Sequence, residues 1–167
     1  LYSEGLSQNE NIKKLCKNFS SSNSVLYLGR DVLYPIALEG ALKLKEISYL
    51  HAEGYASGEL KHGPIALIDK SMSVVALNPS TKVFEKTLSN LEEVKARRGK
   101  VILLTDEKGK KLSKNLTKSI IQLPTCSDFI APILYSLPLQ LIAYYTALDK
   151  GTDVDQPRNL AKSVTVE

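Results

Sequence analysis

Four short runs, residues 25–28, 72–77, 101–104 and 119–123, are dominated by apolar and β-branched residues, and longer stretches with helical spacing separate them. A strand buried on both faces reads this way, because the helices that carry the chain back between parallel strands cover both sides of the sheet. The spacing therefore predicts right-handed βαβ crossovers and an α/β fold, a three-layer α/β/α sandwich around a parallel sheet. The expected helices are residues 11–19, with Ile12, Leu15, Cys16 and Phe19 on one side, and a segment opened by Pro35 that runs to about residue 52. Residues 82–98 follow, with Val83, Phe84, Leu88, Leu91 and Val94 on one face, and then a long helix ending at Asp149. No fixed-period repeat or long linker divides the chain, so the reading is one domain over residues 1–150 and an irregular tail over 151–167. Val154, Leu160, Val164 and Val166 are the tail residues that could anchor it.

Residues 129–148 carry no charge over twenty positions, about the length a bilayer demands. Pro132, Ser136, Pro138, Gln140 and the tyrosines 135, 144 and 145 lie inside the stretch, with Asp128 and Asp149 at its ends. Those polar groups are costly in lipid, so the stretch reads as a helix buried within a protein or an interface, not a membrane span. Basic residues number 22 against 18 acidic ones, for a net charge of +4. They are spread along the chain instead of being massed with aromatics, which disfavours nucleic acid as a partner. Cys16 and Cys126 lie far apart, and His51 and His62 lie near neither. That pattern argues against a zinc site or a disulfide framework and for a cytoplasmic protein, and no apolar leader opens the sequence.

Three polar features could carry chemistry. Glu39, Lys43 and Glu46 stand at i, i+4 and i+7 of the segment opened by Pro35, within one face about 60° wide. They form either a solvated Glu–Lys–Glu ladder or a carboxylate base poised by a neighbouring ammonium. His62, in Gly58-Glu59-Leu60-Lys61-His62-Gly63-Pro64, stands before a Gly-Pro turn. It is either an exposed loop histidine or a general acid/base, its reference pKa being about 6.5. Asn78-Pro79-Ser80-Thr81 follows a strand and precedes a helix, where Ser80 or Thr81 reads best as an N-cap. His51 reads as a cation capping a helix C-terminus. A dinucleotide site is set aside, because Gly29 is followed by Arg30 and Asp31 and no G-x-G-x-x-G is present.

Taken together, Tyr34-Pro35-Ile36-Ala37-Leu38-Glu39-Gly40-Ala41-Leu42-Lys43-Leu44-Lys45-Glu46-Ile47-Ser48-Tyr49, the Gly58-to-Pro64 motif and the closing run Asp153-Val154-Asp155-Gln156-Pro157-Arg158-Asn159-Leu160-Ala161-Lys162-Ser163-Val164-Thr165-Val166-Glu167 resemble the glutamine–fructose-6-phosphate aminotransferase (glucosamine-6-phosphate synthase) family. The resemblance runs from about Val25 to the last residue and covers the last of the two sugar isomerase (SIS) domains of that family. It implies that the chain is part of a longer enzyme with a glutaminase domain and a first SIS domain. It implies a homodimer and a cofactor-free reaction in which ammonia from glutamine and fructose 6-phosphate give glucosamine 6-phosphate. It further implies roles for the residues. Glu46 moves a proton between C1 and C2 of the sugar, Lys43 assists at the neighbouring oxygens, and Glu39 lies beside it. His62 opens the sugar ring from the other subunit, and Lys162, with Ala161 beside it, forms a Schiff base with the open-chain ketose. The family's serine- and threonine-rich phosphate loop belongs to its first SIS domain, and Asn78-Pro79-Ser80-Thr81 is not given that role. The rival expectation is a noncatalytic SIS module that binds a phosphosugar and regulates a partner.

Overall fold

The computed structural model describes residues 8–17, 19 and 22–158. Its strands are β1 (Ser24–Gly29), β2 (His51–Ala56), β3 (Met72–Leu77), β4 (Lys100–Thr105) and β5 (Ile120–Gln122). All neighbours pair in parallel, in the order β2-β1-β3-β4-β5. The α-helices are α1 (Asn9–Cys16), α2 (Tyr34–Ser48), α3 (Phe84–Ala96), α4 (Glu107–Leu112) and α5 (Ala131–Asp149).

Alternation along the strands divides the core in two. Val25 and Tyr27 of β1, Val75 and Leu77 of β3, and Ile102 and Leu104 of β4 point to one face, where α1, α2 and α5 cover them with Ile12, Ala37, Ala41, Leu44, Tyr135 and Ile142. The intervening residues Leu26, Leu28, Val74, Ala76, Val101 and Leu103 point to the other face and meet Leu60, Leu91 and Val94. This is the expected three-layer sandwich, in which both faces of a parallel sheet are covered. At Gly40 a Cβ would lie 2.7 Å from Leu139 and 3.0 Å from the Tyr27 ring. The missing side chain is what lets α2 lie between β1 and α5.

The uncharged stretch becomes α5, packed on α1 and α2 with Phe129 and Ile133 left exposed, and no helix among the described residues is long and apolar enough to cross a membrane. Helix α1 closes on α5 from the far end of the chain. The Asn9 side chain accepts from the Tyr145 hydroxyl at 2.7 Å, and Cys16 Sγ lies 3.6 Å from the Ile142 carbonyl. Burial pushes the Cys16 thiol up to about 12.

Two expectations about elements fail. The segment opened by Pro35 stops as a helix at Ser48, where Tyr49 turns left-handed (φ 58°, ψ 16°) and its N–H closes on the Lys45 carbonyl. His51 then opens edge strand β2 and pairs with Glu53 at 3.5 Å, so it caps no helix. Helix α4 is also additional, started by the Asp106 side chain, which accepts the Gly109 N–H at 2.8 Å. The tail is irregular as far as it is described, through Arg158.

Candidate active site

Helix α2 buries Ala37, Gly40, Ala41, Leu44 and Ser48 against the sheet and α5, which turns Glu39, Lys43 and Glu46 outward. Lys43 Nζ donates to Glu46 Oε2 at 2.9 Å and stands 3.6 Å from Glu39 Oε1. Glu46 is the most covered of the three, with its side chain 25% exposed. The hydrogen bond to Glu46, with help from the charge of both carboxylates, raises the Lys43 pKa above the ordinary lysine value despite slight burial. Lys43 is therefore an ammonium at neutral pH, able to donate to an oxygen and to hold a carboxylate in place but not to act as a nucleophile. Leu38 and Leu42 stand exposed beside the stripe.

His62 lies elsewhere. The segment Ser57–His62 follows β2 at the carboxyl end of the sheet, where the Ser57 hydroxyl donates to the Gly29 carbonyl at 3.1 Å. It then folds under α3. Leu60 is fully buried among the residues of the second face, the Asn90 amide donates to the Ser57 carbonyl at 2.5 Å, and Lys61 pairs with Glu93. His62 itself is exposed, with Nδ1 2.8 Å from Glu59 Oε2. The stripe is on the opposite side of the sheet. A helix layer on each side of a sheet, each about 10 Å from it, puts roughly 20 Å between the two.

The chain beyond α5 crosses the end of α2 close to Glu46. The Thr152 hydroxyl donates to the Ile47 carbonyl at 2.6 Å, and Asp153 Oδ1 accepts from the N–H groups of Asp155 and Gln156 at 2.9 and 3.0 Å. The Arg158 N–H donates to the Tyr49 hydroxyl at 2.9 Å, and its guanidinium stands 4.2 Å over the Tyr49 ring. Lys162 and Ala161 lie outside the described residues. The sequence reading held Tyr49 and Arg158 only inside longer runs and gave neither a role. The signal was the absence of glycine or asparagine where α2 has to end, since those residues usually take the left-handed position.

At the carboxyl ends of β1 and β3, where the strand order reverses, a crevice of about 250 Å³ is lined by Arg30, Asp31, Asn78, Thr81, Lys82 and Asp128. None of the described residues singled out for catalysis, Glu39, Lys43, Glu46 and His62, lines it. The expected serine or threonine cap is not formed either, since Val83 occupies the N-cap of α3 without a side-chain bond. Ser80 instead gives its N–H and hydroxyl to Asp106 Oδ2 at 3.0 and 2.7 Å. Burial pushes the Asp106 carboxyl up, but the bonds from Gly109 and Ser80 outweigh it and hold the group below the ordinary carboxylate value.

The five-stranded parallel sheet with its helices is consistent with the SIS domain, whose family description matches residues 18–150. The chain belongs to that family. It is 58% identical, over all 167 residues, to the glutamine–fructose-6-phosphate aminotransferase [isomerizing] of Bartonella quintana, and 62% identical over 156 residues to that of Agrobacterium fabrum. It spans 28% and 26% of the length of these curated relatives, which are therefore much longer proteins. The solved C-terminal domain of glucosamine-fructose-6-phosphate aminotransferase from Francisella tularensis superposes with a TM-score of 0.85 at 48% identity, covering 93% of this chain and 44% of that one.

Proposed function

We propose that residues 1–150 and the tail 151–167 form the part of a glutamine–fructose-6-phosphate aminotransferase that carries the sugar chemistry, making glucosamine 6-phosphate from fructose 6-phosphate and ammonia in the cytoplasm. The observation that carries this reading is the Lys43–Glu46 pair, 2.9 Å apart, at the end of α2 where the tail passes. Lys162 follows Arg158 by four residues, which span at most about 14 Å in any conformation, so the stripe is within its range. As the amine that forms an imine with the open-chain ketose, Lys162 acidifies the neighbouring C–H, and Glu46 carries that proton between C1 and C2. Lys43 holds Glu46 and donates to the sugar oxygens, with Glu39 beside it. His62, on the far side of the sheet, opens the ring in a site built around the stripe of a second copy, so the working unit is a homodimer. The glutaminase domain and first SIS domain of the longer protein supply ammonia and the grip on the phosphate.

Borohydride added with fructose 6-phosphate to the longer protein tests the reading. It attaches the sugar to the peptide holding Lys162; Lys162→Arg abolishes the label, and Glu46→Gln keeps the label but stops turnover. Turnover at a near-normal rate by Lys162→Arg overturns it. The crevice between β1 and β3 favours a second reading, a noncatalytic module that holds a phosphosugar there. That reading gains if Lys162→Arg leaves sugar phosphate binding intact and no imine can be trapped in the unsubstituted protein.

A further inference from the structure

We infer that Tyr49 is a positioning residue, which fixes the point from which the last nine residues of the chain depart relative to Glu46. Its backbone motivates the assignment. The position that ends α2 lies in the left-handed region (φ 58°, ψ 16°), which glycine enters freely and a bulky side chain enters at a cost. Strain kept at such a position calls for something the side chain supplies in return. Here the hydroxyl accepts the Arg158 N–H at 2.9 Å, while the ring faces the Arg158 guanidinium at 4.2 Å, a cation over a π face. A glycine would end the helix with less strain and hold neither.

Two features make this a mount and not a passing contact. Tyr49 follows Glu46 by three residues through a hydrogen-bonded helix end, its N–H on the Lys45 carbonyl, so the anchor and the carboxylate share one rigid element. The chain reaches Arg158 through a built arch, with Thr152 tied to Ile47 and the Asp153 carboxylate turning the backbone at 155 and 156. Misplacing a reacting group by about 1 Å costs on the order of 100-fold in rate, so loosening the point from which the tail departs is expected to slow the reaction.

The inference rests on Lys162 as the imine-forming amine, and the test separates the two. In the longer protein, the rate of borohydride trapping with fructose 6-phosphate and kcat are measured for Tyr49→Phe, which keeps the ring and loses the hydroxyl, and for Tyr49→Gly, which removes both and relaxes the backbone. Trapping and kcat are expected to fall together, about tenfold for Tyr49→Phe and about 100-fold for Tyr49→Gly, with KM within about threefold. The urea midpoint of Tyr49→Gly is expected to equal or exceed that of the unsubstituted protein, since glycine suits the left-handed site. Amide exchange at Arg158 is expected to quicken in both variants. Unchanged trapping in both variants overturns the positioning role while Lys162 stands, and so does a loss of rate that merely follows a fallen urea midpoint. Absence of any label in the unsubstituted protein overturns the Lys162 reading and the positioning role with it.

Discussion

Helices α2 and α3 flank the sheet from opposite sides and are alike on their inner faces, where Leu44 and Leu91 are both fully buried. Their outer faces differ. On α3 two polar residues fasten the segment after β2, with Asn90 holding the Ser57 carbonyl and Glu93 pairing with Lys61. On α2, among the described residues, the stripe bonds only to itself through Lys43, leaving carboxylate and ammonium open to a ligand. One copy thus holds the two halves of a proposed reaction centre, the stripe and His62, on faces that cannot meet. The difference separates charges that fasten from charges that are presented, and it is the reason the proposed reaction draws on a second copy.

The largest expected effect tests that separation directly. In the longer protein, Glu46→Gln and His62→Asn should each lower turnover by about 100-fold or more, the usual worth of a positioned acid or base. Mixed after unfolding and refolding together, the two variants should recover about a quarter of normal activity, because half the dimers are mixed and each holds one intact site. No recovery in the mixture would place both residues in a single copy and break the comparison.

Stability should treat the two inner faces alike. Leu44→Ala and Leu60→Ala, at positions with no exposure, should each cost about 3 kcal/mol in urea unfolding, whereas Glu39→Gln should stay within about 0.5 kcal/mol. A smaller effect belongs to the Asp106 anchor. Its folded carboxyl lies below its ordinary value, so the stability it contributes is present above about pH 4 and is lost as pH falls through the lower folded value. Asp106→Asn should therefore cost about 1 kcal/mol near neutrality, and urea midpoints of the two proteins should converge in acid. The smallest effect is at Lys43, where the raised pKa reverses the sign. Stability from its pair is present below about pH 10.4 and is lost as pH climbs through the folded value. Being about a third exposed, the pair should contribute only a few tenths of a kcal/mol, visible as a slight alkaline loss that Lys43→Met lacks.

The buried strands were legible in the sequence because burial on both faces leaves an unbroken apolar run, as at Val74, Val75 and Ala76. Strand β2 was not, because an edge strand needs no such run. Only Ala52 of its six residues is buried, and His51 read as the cap of the preceding helix. Helix α4 hid for a related reason. Gly109 sits within it because a Cβ there would lie 2.0 Å from Thr105 Oγ1, so a tertiary contact placed a residue that local pattern reads as a break. The stripe was legible as geometry, since spacing alone aligned Glu39, Lys43 and Glu46, but whether it faced solvent or substrate was not. The Tyr49–Arg158 contact joins residues 109 apart, and no local pattern encodes it.

The docking of α1 on α5 has a consequence for how the molecule comes into being on the ribosome. Cys16 waits for Ile142, 126 residues later, and at about 5–20 residues per second that wait lasts roughly 6–25 s. Throughout it, the apolar side of α1, with Ile12 and Cys16, has no partner from α5, and the thiol behaves as an ordinary cysteine with a pKa near 8.5. Only the arrival of α5 buries it and pushes it up to about 12. The nascent chain therefore passes through a window of chemical vulnerability that the finished fold closes, and a thiol reagent applied to stalled ribosomes, with chains cut before and after residue 149, would time its closing.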